Sequence, residues 1–109
     1  MGDRVRYAFR MRLLPGAGEQ YSRLHEAVDP AVLDEIRAAG IHNYSIFLDG
    51  EDLFSYLEID DMVRFAEVMR GTDGTRPWAQ AVTRLFAQKD VDPATGMPPR
   101  LTEVFRFDA

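Results

Sequence analysis

Tyr21 and His25 lie four residues apart in a segment whose apolar residues recur at helical spacing. The expected buried stripe consists of Ala17, Tyr21, Leu24, His25 and Val28. Residues at this spacing share one face of an α-helix, so the phenol and the imidazole should point together into whatever the helix packs against. An imidazole accepts and releases a proton near neutral pH, and the pair therefore predicts acid–base chemistry in a protected pocket.

Ordinary packing offers a simpler explanation of the same spacing. A half-buried histidine can bond to its own helix while a nearby tyrosine fills the core, and spacing alone favours that explanation. The chain offers no competing chemistry, since it has no cysteine, no glycine-rich phosphate loop and no cluster with metal-ligand spacing. Two histidines without a cysteine leave only carboxylates to complete a metal shell, so we expect neither a metal nor a cofactor.

Three further residues are candidates for the same site. His42 and Tyr44 alternate along a predicted strand, which places both on one face, where they could meet the helix stripe. Trp78 begins the last predicted helix and could lie flat against the apolar face of a ring-shaped ligand. Each of the three also has a common packing role.

The composition favours one domain over residues 1–109, because 109 residues with 46% hydrophobic content suit a single modest core. A net charge of -5 argues against nucleic acid and anionic membrane as partners, since both attract basic surfaces. The first residues contain no sustained apolar run, and no later run is long enough to span a bilayer. We therefore expect a cytoplasmic protein with a small-molecule partner.

Periodicity and capping residues predict the elements that position these candidates. The first elements in chain order are a strand over Arg4–Leu13, a helix from Ala17 or Gly18 toward Val28, a helix from Pro30 to Gly40, and a hairpin of Ile41–Leu48 and Leu53–Ile59. They are followed by a helix that Asp60 or Asp61 caps and Gly71 ends, a helix that Thr75 caps with Pro77 in its first turn, and a closing strand over Leu101–Phe107. Asp49-Gly50 marks the hairpin turn, and the following Glu51-Asp52 suggests a loop slightly longer than the tightest type.

This order predicts an α+β fold of the ferredoxin-like type, a mostly antiparallel four-stranded sheet with its helices on one face. The other face of such a sheet would be exposed. Both faces of the predicted hairpin carry apolar residues, and an exposed apolar face calls for a partner. We therefore expect a homodimer built by sheet contacts.

Taken together, these segments resemble the L-rhamnose mutarotase family over nearly the full chain. The resemblance rests on Arg6-Tyr7-Ala8-Phe9-Arg10-Met11, Tyr21-Ser22-Arg23-Leu24-His25 with Pro30 beyond it, Gly40-Ile41-His42-Asn43-Tyr44-Ser45-Ile46-Phe47-Leu48-Asp49, Trp78, and Leu101-Thr102-Glu103-Val104-Phe105. It implies a ferredoxin-like dimer of the dimeric α/β-barrel type that interconverts the α and β anomers of a free monosaccharide without a cofactor. It also implies that Tyr21, His25, Tyr44 and Trp78 line the sugar site, with His25 as the main catalytic group.

Mutarotation requires a base for the anomeric hydroxyl and an acid for the ring oxygen, and His25 and Tyr21 could divide these roles. Tyr44 and His42 would then bind sugar hydroxyls, and Trp78 would stack on the ring. The chain has Pro77-Trp78 where family members carry paired tryptophans, and Glu26-Ala27-Val28-Asp29 where they carry an Asn-Pro-x-Trp stretch. The sugar therefore stays open between L-rhamnose and another 6-deoxy hexose such as L-fucose.

Two other functional classes use the same architecture. One is a dimeric α+β barrel protein that binds a small ligand or regulates without catalysis. The other is a cofactor-free monooxygenase that acts on an aromatic substrate or on haem. The Tyr-x-x-x-His spacing gives no particular reason to expect the monooxygenase.

Overall fold

The structure is a computed structural model that describes residues 3–72, 76–87, 91–92 and 95–108. The elements are β1 (Val5–Arg12), α1 (Gly18–Leu24), α2 (Pro30–Ala38), β2 (Ile41–Asp49), β3 (Asp52–Ile59), α3 (Met62–Arg70) and α4 (Pro77–Thr83). This order confirms the predicted α+β class. None of the helices in the described ranges is long and apolar enough to cross a membrane.

The sheet has the order β1-β3-β2, and both pairings are antiparallel. Alternation along the strands turns one row of apolar side chains toward the helices, and we call this side the inner face. Its buried members are Tyr7, Phe9, Ile41, Leu53, Leu57 and Ile59. Residues of all four helices pack against this row in two clusters of buried side chains. The opposite side, the outer face, carries no helix in the described part of the chain.

Two predicted helix starts are confirmed by their caps. The side chain of Asp29 accepts a hydrogen bond from the backbone N–H of Ala31, and Pro30 follows at the first helical position. The carboxylate of Asp61 accepts bonds from the backbone N–H groups of Val63 and Arg64 in the same way. These caps fix where α2 and α3 leave the sheet.

The hairpin between β2 and β3 is tighter than predicted. Asp49 pairs with Asp52, so only Gly50 and Glu51 form the loop. Gly50 adopts a φ of 62°, a conformation that glycine takes without a steric cost and that a two-residue turn requires. The acidic pair after the glycine therefore does not lengthen the loop, because Asp52 already belongs to β3.

The predicted closing strand is wrong, and the described chain has three strands where four were expected. The segment of residues 101–108 runs antiparallel to β1, with a backbone bond of 2.7 Å from Leu101 N to the Ala8 carbonyl and an ion pair of 3.4 Å between Arg6 and Glu103. No further backbone bonds form a ladder between residues 101–108 and the rest of the described chain. Three apolar side chains of this segment are 80–92% exposed and do not pack on the rest of the described chain: Val104, Phe105 and Phe107.

A bulge interrupts the pairing of β2 with β3. Two residues of β2, Asn43 and Tyr44, lie between the last regular pair before the bulge and the first pair after it, where β3 supplies Leu57 alone. Such an extra residue resets the alternation of side chains. Tyr44 therefore faces the helices with Ile41, although the two residues are three apart.

Candidate active site

A pocket of about 720 Å³ lies between the inner face of the sheet and the helices. This volume is in the range of small-molecule sites. Four of the five predicted site residues line it, namely Tyr21, His25, Tyr44 and Trp78. The remaining wall is mostly apolar and includes Phe9, Met11, Val32, Ile36, Ile46, Val82, Phe86 and Met97.

The end of α1 determines how the imidazole of His25 is held. α1 ends at Leu24, earlier than predicted, and the backbone N–H of His25 bonds to the carbonyl of Ser22 at 3.2 Å. The carbonyl of Tyr21 thereby loses the backbone partner that a continuing helix would supply. Nδ1 of His25 lies 2.8 Å from that carbonyl and satisfies it. A carbonyl oxygen only accepts, so Nδ1 carries the proton and Nε2 keeps a lone pair in the neutral ring.

Trp78 satisfies a second carbonyl at the same helix end. Its indole Nε1–H donates to the carbonyl of Leu24 at 2.9 Å, which ties the start of α4 to the end of α1. The indole ring meets the imidazole of His25 edge to face, with ring centroids 5.2 Å apart. Trp78 therefore packs against His25 and also lines the pocket.

Tyr21 and Tyr44 bring neutral phenols to the pocket. Burial raises the pKa of Tyr21, and the nearby Tyr44 raises it further. Burial also raises the pKa of Tyr44 to about 12. Both hydroxyls therefore stay protonated at neutral pH, which makes them hydrogen-bond donors to a ligand oxygen.

His42 does not join the site, and the prediction that it shares a face with Tyr44 is wrong. Its Nε2 lies 2.7 Å from a carboxylate oxygen of Asp60, and its pairing partner on β3 is Glu58. The bulge at Asn43 puts the two residues on opposite faces of the sheet, because it leaves His42 on the outer side and turns Tyr44 inward. His42 is also absent from the residues that line the pocket.

Ser55 lines the pocket and was not among the residues predicted from the sequence. It lies on β3, the central strand, and is only 5% exposed, with Leu53 and Leu57 as its inner-face neighbours along the strand. Its side chain lines the pocket and makes no hydrogen bond to another described residue. The sequence did contain a signal for Ser55, because it is a small polar residue at a position of β3 where the alternation predicts a large apolar one.

The arrangement suits proton transfer to a neutral, hydroxyl-bearing molecule. One unprotonated imidazole nitrogen, two neutral phenols and one serine hydroxyl occur within a wall that is otherwise apolar except for Thr83, whose hydroxyl donates to the carbonyl of Ala79 at 2.8 Å. In the described parts of the chain, no three histidine or carboxylate side chains come close enough together to hold a metal ion. The candidate chemistry is therefore carried by side chains that accept and donate protons.

Comparison with known proteins places this pocket in a family. The sequence profile of "L-rhamnose mutarotase" matches residues 6–107. An L-rhamnose mutarotase from Opitutus terrae is 33% identical over 106 residues, which cover 95% of this chain and 99% of that protein. One from Burkholderia orbicola is 43% identical over 82 residues, covering 73% and 78% of the two chains.

The fold agrees with a solved member of the same group. The crystal structure of an L-rhamnose mutarotase from Formosa agariphila superposes with a TM-score of 0.69, covers 95% of this chain and 99% of that chain, and shares 24% of its sequence. The profile match over most of the chain confirms the resemblance that the Tyr21 to His25 and Gly40 to Asp49 segments predicted. The chain belongs to the L-rhamnose mutarotase family, and it is accordingly an isomerase that interconverts the anomers of a sugar.

Proposed function

We propose that the protein interconverts the α and β anomers of L-rhamnose, or of a related 6-deoxy hexose such as L-fucose, in the pocket that Tyr21 and His25 line. The observation that carries this proposal is the bond between Nδ1 of His25 and the carbonyl of Tyr21. Because that bond places the proton on Nδ1, Nε2 has the free lone pair that a general base needs. The names of the similar proteins support the choice of sugar.

In the proposed reaction, Nε2 of His25 takes the proton of the anomeric hydroxyl. The bond between the anomeric carbon and the ring oxygen breaks, the imidazolium of His25 gives its proton to the ring oxygen, and an open-chain aldehyde forms. The aldehyde group rotates by half a turn and the ring closes on its other face by the reverse steps. Protons balance over the cycle, so the enzyme ends in its starting state.

The phenols supply hydrogen bonds in this scheme. Tyr21 assists His25: its ring stacks on the imidazole with centroids 4.3 Å apart, and its hydroxyl donates a hydrogen bond to the sugar oxygen that gains or loses the proton. Tyr44, which lies on β2, orients the sugar hydroxyls. Burial favours the neutral form of both side chains, so each phenol donates a hydrogen bond and keeps its proton. No isolated negative charge then forms in the apolar pocket.

The apolar wall favours a 6-deoxy sugar. Such a sugar carries a methyl group where an ordinary hexose carries a hydroxymethyl group. Burying a methyl group contributes about 0.8 kcal/mol, whereas a buried hydroxyl without a partner has a cost. Trp78 lies on this wall, and its ring would cover the apolar face of the sugar.

Magnetisation exchange between the anomeric proton signals of the sugar tests this function directly. We expect catalytic amounts of the protein to accelerate exchange in L-rhamnose far above the spontaneous rate. L-mannose is a matched control, since it differs from L-rhamnose only by the hydroxyl at carbon six, and we expect slower exchange. The proposal fails if neither L-rhamnose nor L-fucose exchanges faster with the protein than without it.

We further propose that two copies associate through the outer face of the sheet. Phe47 and Phe54 are directly paired across β2 and β3 on this face, and they are 63% and 43% exposed. The segment of residues 101–108 adds four exposed apolar side chains beside β1, namely Leu101, Val104, Phe105 and Phe107. Both surfaces belong to the same chain, so a two-fold axis would bury them against their own copies.

Sedimentation equilibrium tests the association. We expect a mass of about twice the 12.4 kDa of one chain. Phe54→Lys should shift the equilibrium to the monomer, because it places a charge at the centre of the buried face. Val63→Lys on α3 is the matched control, since Val63 is 69% exposed and lies on a helix. A monomeric wild type, or a dimer that Phe54→Lys leaves unchanged, contradicts the proposal.

The cytoplasm stays the predicted compartment. Fractionation of cells that produce the protein, followed by detection with an antibody, would test it.

A further inference from the structure

Asn43 is the extra residue in the bulge of β2. Its φ of 51° is the one positive value that a residue other than glycine adopts in the described ranges. Asparagine tolerates this left-handed conformation better than most residues with a side chain. Asn43 is also the only asparagine in the sequence. The residue type therefore matches the backbone that the bulge requires.

The side chain of Asn43 is held on the outer face. Its Nδ2 donates to Oε1 of Glu58 at 2.9 Å. The same carboxylate accepts hydrogen bonds from Arg4 at 3.2 Å and from the hydroxyl of Tyr56 at 2.9 Å. Glu58 pairs with His42, the residue before Asn43, so this anchor lies directly at the bulge.

The bulge allows two inner positions to be filled at once. A regular strand alternates, so residues three apart point to opposite faces. Ile41 is nevertheless buried in the core while Tyr44 lines the pocket. In a regular strand of the same length, one of these two side chains would have to face outward.

We infer that Asn43 is a positioning residue for the sugar site, acting from the opposite side of the sheet: its left-handed backbone turns Tyr44 into the pocket while Ile41 stays in the core. The inference rests on the proposed role of Tyr44 in sugar binding. In the His42-Asn43-Tyr44 sequence, His42 contacts Asp60 on the outer face, Asn43 forms the bulge and Tyr44 enters the pocket. Only Tyr44 touches the pocket.

Three changes at one position test the inference. Asn43→Gly keeps the left-handed backbone and loses only the bond to Glu58, so we expect the KM for L-rhamnose to stay within about threefold of the wild type. Asn43→Val disfavours positive φ, and we expect the KM to rise by about tenfold or more. Deletion of Asn43 restores regular alternation with every other pair unchanged, so we expect it to behave like Asn43→Gly.

The orientation of Tyr44 needs its own readout. Tyrosines labelled with ¹³C at the ring carbon that bears the hydroxyl report each phenol's ionisation by NMR titration. In the wild type, burial raises the pKa of Tyr44 to about 12 from its ordinary 10.0. In Asn43→Val we expect Tyr44 to ionise nearer to the ordinary value, because its ring would leave the pocket. If this variant does not fold, Asn43→Ala provides the same comparison with Asn43→Gly at a smaller steric cost.

The outcomes separate the inference from the proposed function. An unchanged KM and an unchanged Tyr44 titration in Asn43→Val would overturn the inference, as would an Asn43→Gly variant as impaired as Asn43→Val. Tyr44→Phe in the wild-type background tests the role of Tyr44 itself. If that variant binds sugar normally while the titration of Asn43→Val shifts, the bulge positions Tyr44 and the proposed role of Tyr44 is wrong.

Discussion

The imidazole of His25 stacks on the phenol ring of Tyr21 with centroids 4.3 Å apart and an interplanar angle of 30°, while its Nδ1 bonds to the backbone carbonyl of the same tyrosine at 2.8 Å. Tyr21 therefore fixes both the orientation of the imidazole and the nitrogen that carries its proton. This double contact exists because α1 ends before His25 and leaves the Tyr21 carbonyl for a side chain to satisfy. The end of α1 therefore holds the proton of His25 on Nδ1 and leaves Nε2 free to act as a general base.

Replacing His25 should remove catalysis and leave the fold. His25→Ala should slow anomer exchange by about a hundredfold or more, since general acid–base catalysis contributes on that scale. The loss of the Nδ1 bond should lower the free energy of unfolding by only about 1 kcal/mol. NMR exchange rates and urea unfolding measure the two effects. His42→Ala is the matched control, because the second histidine lies outside the pocket; equal exchange losses in both variants would exclude a special role for His25.

Two variants separate the roles of Trp78. Trp78→Ala removes the aromatic wall, so we expect the KM for the sugar to rise by about tenfold. Trp78→Phe keeps an aromatic ring but removes the donor to the Leu24 carbonyl. It should therefore cost about 1 kcal/mol of stability with a smaller change in KM. Steady-state exchange kinetics and thermal unfolding supply the measurements, and sugar affinity that is unchanged in Trp78→Ala would remove Trp78 from the site.

Ser55 should show opposite effects on binding and stability. Ser55→Val replaces the hydroxyl that lines the pocket by two methyl groups, so we expect the KM to rise by about tenfold. Valine suits a buried central strand, and the free energy of unfolding should stay level or increase by about 1 kcal/mol. Ser45→Val is the matched control, since Ser45 lies on the neighbouring strand and faces outward. Unchanged sugar kinetics in Ser55→Val would mean that the small side chain only serves packing.

Acidification should weaken the anchor at Glu58. Hydrogen bonds from Asn43, Tyr56 and Arg4 lower the pKa of Glu58 from its ordinary 4.5. Because the folded state lowers this pKa, the stability contributed by the ionised carboxylate is present above pH 4.5 and is lost as the pH falls through the lowered value. Glu58→Gln should therefore show a flatter decline in urea midpoint below pH 4.5 than the wild type. Parallel declines in the two proteins would contradict the prediction.

The parts of the fold that the sequence predicts are those set by local interactions. The caps at Asp29 and Asp61 involve residues two or three positions away, and Tyr21 meets His25 because the two lie four residues apart at the end of one helix. The alternation of β1 likewise needs no information from elsewhere in the chain. These features were confirmed because a short segment contains everything that determines them.

Only the tertiary structure decided which candidate residues lie in the pocket and which lie outside it. The bulge at Asn43 depends on how β2 pairs with β3, so the sequence pattern alone put His42 and Tyr44 on one face. The role of Ser55 depends on a wall built by other elements, and the donor role of Trp78 depends on a carbonyl 54 residues away. Residues 101–108 have a strand-like composition, yet the described chain gives them almost no backbone partners. Local periodicity fixes directions within one element, whereas register and contacts between elements are set by the free energy of the whole packed chain.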